Sequence, residues 1–320
     1  MERKKVVGFS FGRKMSNTEV MVKEVLLECK KAGMDIQFIR ADDLNIHICT
    51  GCVGCVISLM TKTGSGVCIH KDDDFHIIDE ALMSADAVVV GSPTYVLAPT
   101  GNFKVVCDRL GPSHDFSFCG PAIEAGKAEG RNPDTYPDER IMKKRVGVLL
   151  TVGGARTENW LSLAMPSMYE FTISMGIDVI DKYQYHGAMD QDHVLGRPDI
   201  MARMRLSGQH IVEALNADTE EERIRYRGDK QGICPVCHED MLTIMHDGDK
   251  VECPVCGIKG RLVMVDGQFK AEFSPEEQNR SRLKDAGNWE HTNEIRSSVF
   301  SQRKTPNLQE LKQRYIGVGE

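Results

Sequence analysis

Cys49, Cys52, Cys55 and Cys68 share one short stretch of the chain. Three thiolates at C-x2-C-x2-C spacing can turn inward on one loop, and with a fourth nearby they form the ligand set an iron-sulfur cluster requires. About forty residues upstream, the segment 10–18 (SFGRKMSNT) collects Ser10, Ser16 and Thr18 hydroxyls, the Asn17 amide and the fixed charge of Arg13. If it enters a helix, such a segment can hold a dianionic monophosphate on free backbone N–H groups without a Gly-x-Gly-x-x-Gly turn. A plain Ser/Thr helix cap with a solvated arginine is the alternative. Together the two features point to electron transfer through a phosphate-bearing cofactor and a cluster.

A second thiol group is spaced differently. Cys234-x2-Cys237 and Cys253-x2-Cys256 are two Cys-Pro-Val-Cys knuckles with fifteen residues between them, the spacing of a four-thiolate zinc site. Four thiolates leave no open coordination position, so the metal would be structural. A rubredoxin-like iron uses the same ligands, but no aromatic residue occurs between 228 and 268 to wrap it, and zinc is expected. Cys29 and Cys107, on helical patterns, read as small buried apolar residues; Cys119 is isolated in sequence.

The elements that must position these groups follow an α/β rhythm. Strands are expected over 4–10, 35–39, 86–92, 145–152 and 177–185, alternating with helices over 17–33, 74–84, 101–110, 158–175 and 198–217. Right-handed crossovers then require a doubly wound, five-stranded parallel sheet, the count of a flavodoxin-like fold. Ligands of such sheets bind beyond the carboxyl ends of the strands. Residues 10–18 lie there, as do Pro93, Thr94 and Tyr95 after the third strand and Thr151, Gly153, Gly154 and Arg156 after the fourth. Gly and Pro turns permit close backbone approach to a flat ring, and Tyr95 can lie against it.

The chain therefore divides into an α/β domain over 1–217, a zinc-ribbon-like β domain over 228–273 and a polar helical tail over 274–320, with a helix start at Ser274-Pro275. An insert at 111–144, too long for an ordinary connection, is a candidate active-site cover or subunit contact, and His114 and Tyr136 within it are candidates for lining a substrate pocket. At 320 residues, with 41% apolar and 27% charged residues, the composition is that of an ordinary soluble protein, and the net charge of −7 gives no electrostatic case for nucleic acid or anionic membrane. The ribbon region is acidic too, with five Lys/Arg against eight Asp/Glu. No membrane-spanning stretch or signal-peptide core is read, so a cytoplasmic protein is expected.

Residues 1–215 resemble the iron-sulfur flavoprotein branch of the NAD(P)H-dependent FMN reductases. The likeness is carried by 10–18, Cys49 to Cys55, Gly66-Val67-Cys68 with Asp72-Asp73-Asp74, Ser92 to Tyr95, Lys104 with Asp108-Arg109, and 152–156. It implies FMN held through its phosphate by 10–18, with ring contacts from 93–95 and 151–156, NAD(P)H as electron donor, a [4Fe-4S] cluster at the four-cysteine loop, and a homo-oligomer. Asp108-Arg109 reads as helix-end structure. The fourth cysteine follows later here than the family pattern, so 57–66 must loop out. That spacing leaves open a cluster on three protein thiolates, a disulfide, free thiols or another metal. The implied activity is an FMN-dependent oxidoreductase passing electrons to a small-molecule or protein acceptor. The rival readings are a non-catalytic electron carrier and a redox-sensing interaction protein.

Overall fold

The computed structural model describes residues 3–189, 193–301 and 305–319. In chain order the α/β part runs β1 (Lys5–Ser10), α1 (Asn17–Lys31), β2 (Asp35–Arg40), α2 (Gly54–Met60), α3 (Phe75–Ser84), β3 (Ala87–Tyr95) and β4 (Ala98–Pro99). It continues through α4 (Gly101–Leu110), α5 (Phe116–Ala128), β5 (Val146–Val152), α6 (Ala164–Met168), α7 (Glu170–Ile173), β6 (Asp178–Tyr185) and α8 (Pro198–Leu215). The sheet order is β2-β1-β3-β5-β6 with all five strands parallel, and β4 folds back antiparallel on the end of β3. This is the flavodoxin-like sheet expected from the β-branched runs. Val88 and Val90 of β3 enter one apolar cluster while Ala87 and Val89 enter another, as period-two side chains must when both faces are covered.

Three segments differ from the sequence reading. The helix expected over 158–175 is broken into a 3-10 turn at Glu158–Trp160 and the short α6 and α7, with Pro166 inside α6. The segment after Cys55 does not loop out freely: it forms α2, whose Leu59 is buried and packs against Gly66. Gly66 stands at φ +74°, and a Cβ there would lie 2.7 Å from Leu59, so this return needs glycine. The insert folds as α5 and buries Phe116, Phe118, Cys119, Ala122 and Ile123 in the main cluster despite an internal Pro121.

After α9 (Glu220–Ile224) come β7 (Thr243–Ile244), β8 (Lys250–Glu252), β9 (Lys259–Val265) and β10 (Gln268–Glu272), an antiparallel sheet in the order β10-β9-β8-β7. The tail holds α10 (Pro275–Asn279), capped by Ser274, then α11 (Asp285–Ser301) and α12 (Leu308–Gln313). α11 packs on α5, where Ser117 Oγ meets Asn288 Oδ1 at 3.2 Å and also bonds Thr292. Among the described residues no helix is long and apolar enough to cross a membrane.

Candidate active site and metal centre

The register sets the three expected loops side by side. Ser10 pairs with Gly91 across β1 and β3, and Ser92 and Pro93 pair with Thr151 and Val152 across β3 and β5. In the first loop the Ser10 hydroxyl accepts the Gly12 N–H at 3.3 Å, and Ser16 N–H closes on the Arg13 carbonyl at 3.0 Å. Gly12 is required by packing, since a Cβ there would lie 2.8 Å from Ser16 Oγ. Ser16 caps α1 by accepting the Glu19 N–H, which leaves its own proton free, and Asn17 Oδ1 is taken by the Val194 N–H at 3.0 Å. Asn17 therefore anchors the loop to residue 194 with its side-chain oxygen. The Asn17 and Thr18 N–H groups, which have no intrahelical acceptor, remain for an anion. Arg13 is exposed, and among the described residues no hydrogen bond or ion pair engages its guanidinium. Glu19, one turn in, is buried, but Lys23 and Arg40 hydrogen-bond it; burial would raise its carboxyl, and these cations hold it below the usual range.

The second loop offers an unused polar group. Thr94 Oγ1 is buried without a hydrogen-bond partner, while Ser92 Oγ bonds the Pro93 carbonyl and accepts the Thr100 N–H. Tyr95 lies half out of the surface at the start of a two-residue hairpin whose centre, Val96 and Leu97, has φ of +48° and +74°. Such turns favour Asn-Gly, and a β-branched residue there carries strain of about 1 to 2 kcal/mol. The third loop is tied to the end of β6: Thr151 Oγ1 donates to Gln184 at 3.1 Å, Gly153 N–H to the Tyr185 carbonyl at 2.8 Å, and Gly187 N–H to the Ala155 carbonyl at 2.7 Å. Gly153 admits no side chain, because a Cβ would fall 2.0 Å from Leu161. Arg156 is exposed at the loop's end. Free N–H groups, a cation with no partner among the described residues, an orphaned hydroxyl and glycine backbone fit a flavin mononucleotide, whose phosphate residues 13–18 would hold and whose ring edge Thr94 and the Gly154 and Ala155 N–H groups would meet.

The four-cysteine loop is a lasso tied at its base. Asp74 and Asn45 exchange hydrogen bonds, Asp73 accepts the His47 N–H at 2.9 Å, and the buried Arg109 donates to the His47 and His70 carbonyls while pairing with Asp73. Arg109 is thus more than helix-end structure: from α4 it clamps both flanks of the cysteine loop. Its position one turn after Val106 on the apolar face of α4 was the sequence signal for burial. Cys49 and Cys52 are exposed and Cys55 and Cys68 half-buried. The α2 detour brings the chain after it back to the early cysteines, since a Cβ at Gly54 would lie 3.4 Å from Ile69 and 3.7 Å from Cys52 Sγ, and burial pushes the Cys55 thiol up. Among the described residues the tight four-sulfur group is the C-terminal one; the four cysteines of this loop are the thiolates that a cluster would take as ligands.

Cys234, Cys237, Cys253 and Cys256 are buried with all four sulfurs within 4.8 Å of one another. The nearest contacts, 3.3 and 3.4 Å, are too long for disulfides and near the spacing four thiolates take around one tetrahedral ion. The first knuckle is docked on the α/β domain. Lys182 of β6 donates to the His238 carbonyl at 2.6 Å and pairs with Glu239, and the Tyr169 hydroxyl bonds the Cys237 carbonyl. The aromatic shell that the local sequence lacks is partly supplied from elsewhere, by Tyr169 and by Tyr226, which stacks on His238 at 3.9 Å.

His114 and Tyr136 do line one cavity, of about 880 Å³, together with Cys68 and His70, but no residue of the three crevice loops contributes to it. His114 is held by Ser113 and Asp79 at 2.8 Å each, and Tyr136 packs into the space left by Gly126. Sequence reasoning missed Gln184 and His186. Gln184 bridges Thr151 to Glu158, and His186 has one buried nitrogen without a partner. Polar residues at the carboxyl end of a strand were the available signal.

A family model described as NADPH-dependent FMN reductase matches residues 5–175. A flavone synthase from Aspergillus candidus is 27% identical over 321 residues, spanning 98% of this chain and 95% of that protein. An iron-sulfur flavoprotein from Methanocaldococcus jannaschii is 29% identical over 169 residues, 53% of this chain and 71% of its own. The solved structure of a flavone reductase superposes with a TM-score of 0.79 at 24% identity, over 97% of this chain and 96% of that one, a likeness of fold that includes the C-terminal unit.

Proposed function

This chain belongs to the NADPH-dependent FMN reductase family, and from that premise we propose that it is an FMN-dependent oxidoreductase drawing electrons from NAD(P)H and delivering them to a planar conjugated molecule of the flavone type. The observation that carries the flavin part is the buried, unpartnered Thr94 hydroxyl in a crevice shared with the open N-terminus of α1 and the unpaired Arg13. The acceptor class is taken from two end-to-end matches whose names share the flavone, a flavone synthase and a flavone reductase, and the direction of electron flow from the reductase. Bound FMN supplies the two-electron and one-electron chemistry that side chains lack. Over the whole reaction NAD(P)H gives up a hydride and leaves as NAD(P)⁺, and the conjugated C=C of the acceptor takes two electrons and two hydrogens, one of them a solvent proton. The chain's own part is to hold the phosphate with Arg13, Ser16 and the α1 N–H groups and to fix the ring edge with Thr94 and the 153–155 backbone.

For the metals, we propose a [4Fe-4S] cluster on Cys49, Cys52, Cys55 and Cys68 and zinc on the four C-terminal thiolates. The exposure of Cys49 and Cys52 favours a second reading, a carrier passing single electrons to a partner protein. The exposed Tyr95, Val96, Trp160 and Leu163 support a homo-oligomer with the hairpin at the contact. Anaerobic isolation followed by flavin, iron, sulfide and zinc analysis, then reduction and turnover assays, separates the readings. Flavone consumed with one equivalent of NAD(P)H supports the enzyme. Flavin bleached only by a reduced ferredoxin, with no flavone turnover, sinks the enzyme and leaves the carrier. Absence of iron after both anaerobic isolation and reconstitution removes the cluster. Light scattering decides the assembly.

A further inference from the structure

The ribbon has so far explained only itself. Yet its first knuckle faces the carboxyl end of β6 across a cleft of about 660 Å³, within the size range of small-molecule pockets. One wall is β6 and the turn after the third crevice loop, with Gln184, His186 and Glu158; the other is the knuckle, with His238 and Met241. We propose that this cleft is the acceptor site, taking a planar aromatic molecule with a hydroxyl or carbonyl edge, and that the ribbon is its outer wall.

Three observations carry the assignment. The cleft offers both flat and hydrogen-bonding surface. Met165, Pro166, Met241 and the Tyr226–His238 stack give flat, polarisable surface bordered by the Lys182–Glu239 pair, Asp229, Lys230 and Asp240, while Gln184, Glu158 and His186 form a hydrogen-bonded cluster with contacts of 3.1 to 3.3 Å. That cluster has spare capacity, since one buried His186 nitrogen has no partner. The cluster is also joined to the flavin crevice: Gln184 holds Thr151, and Glu158 lies two residues past Arg156. The ribbon wall is fixed in place by Lys182 and Tyr169 bonds to knuckle carbonyls rather than loosely tethered. A pocket that reaches the third crevice loop through the Gln184–Thr151 bond and whose outer wall is a separate module fixed in place can orient a long flat molecule toward the ring.

The proposal rests on the flavone-type reading of the acceptor, and the test keeps the two apart. With FMN- and zinc-loaded protein, flavone binding is measured by equilibrium dialysis for the wild type, for Ser162→Phe, which fills the cleft, and for Met241→Glu, which replaces its flat thioether with a carboxylate beside Glu239 and Asp240. Asp134→Phe, in the separate 880 Å³ cavity, is the control. Flavin and zinc content of each variant report folding. The expected result is a Kd raised at least about tenfold, about 1.4 kcal/mol, in both cleft variants and unchanged in the control. Wild-type affinity retained by both folded cleft variants, or lost only in Asp134→Phe, overturns the cleft assignment while sparing the flavone reading. No flavone binding by the wild type overturns that reading and the cleft assignment together.

Discussion

Arg13 and Thr94 probe the crevice from two of its loops, and their substitutions are expected to separate in sign. Arg13→Ala removes an exposed, unpaired cation and leaves folding stability unchanged; it weakens FMN by roughly 10- to 100-fold, the weight of a charged hydrogen bond, but leaves riboflavin, which lacks the phosphate, unaffected. Fluorescence titration of the flavin-free protein measures both ligands. Thr94→Val removes a buried hydroxyl that the protein itself does not satisfy, so the flavin-free protein gains about 1 kcal/mol in urea unfolding while FMN affinity falls. A structural threonine would instead lose stability with no effect on flavin. The residue types at 10–18 were legible in the sequence, which left open both a phosphate cradle and a plain Ser/Thr cap with a solvated arginine, and Ser16 does cap α1. Their division of labour was not. Asn17 spends its oxygen on Val194, 177 positions away, and no local pattern announces that.

At the scale of elements, the cysteine lasso depends on a helix that contributes no cysteine to it. Arg109→Ala leaves Asp73 buried without its cation, and a loss of about 3 to 5 kcal/mol is expected, measured by urea denaturation, with amide exchange accelerated across residues 46–72. Burial raises the Asp73 carboxyl, whereas Arg109 and the His47 and Phe75 N–H groups bring it below the usual range, so Arg109→Ala with Asp73→Asn should recover part of the loss. At the start of β6, burial pushes the Asp178 carboxyl up to about 6. The folded state then binds a proton more tightly than the unfolded chain, so this group's contribution to stability falls as pH rises from about 4 to about 6. Asp178→Asn is expected to stabilise by about 1 to 2 kcal/mol at pH 7, the gain vanishing near pH 4 in a pH series of melts. The strands were legible because Val and Ile runs buried on both faces have few other solutions. α5 was not, since Gly120, Pro121 and Gly126 all argue against a helix that tertiary burial nevertheless imposes. The same weakness of local signal hid α2, which starts at a glycine after the left-handed Val53.

For the molecule as a whole, the two knuckles were plain from spacing alone, whereas their docking was hidden, because Lys182 and Tyr169 lie 55 and 68 positions from Cys237. Metal removal reads that docking out. The binding energy of four thiolates is folding energy for a unit this small, so chelation is expected to split one calorimetric transition into two, with the ribbon melting first and the flavin absorbance retained. An unsplit transition after complete metal loss would show that the docked contacts alone hold the ribbon. β6 is the last strand of the parallel sheet, and the knuckle stands against its carboxyl half, while α11 shields α5 at another face. The C-terminal third therefore doubles as a cover for buried polar groups of the flavodoxin-like portion, Tyr169, Lys182 and Ser117 among them, and a gene shortened to that portion is expected to yield less soluble protein than the full chain, read from the soluble fraction at equal expression.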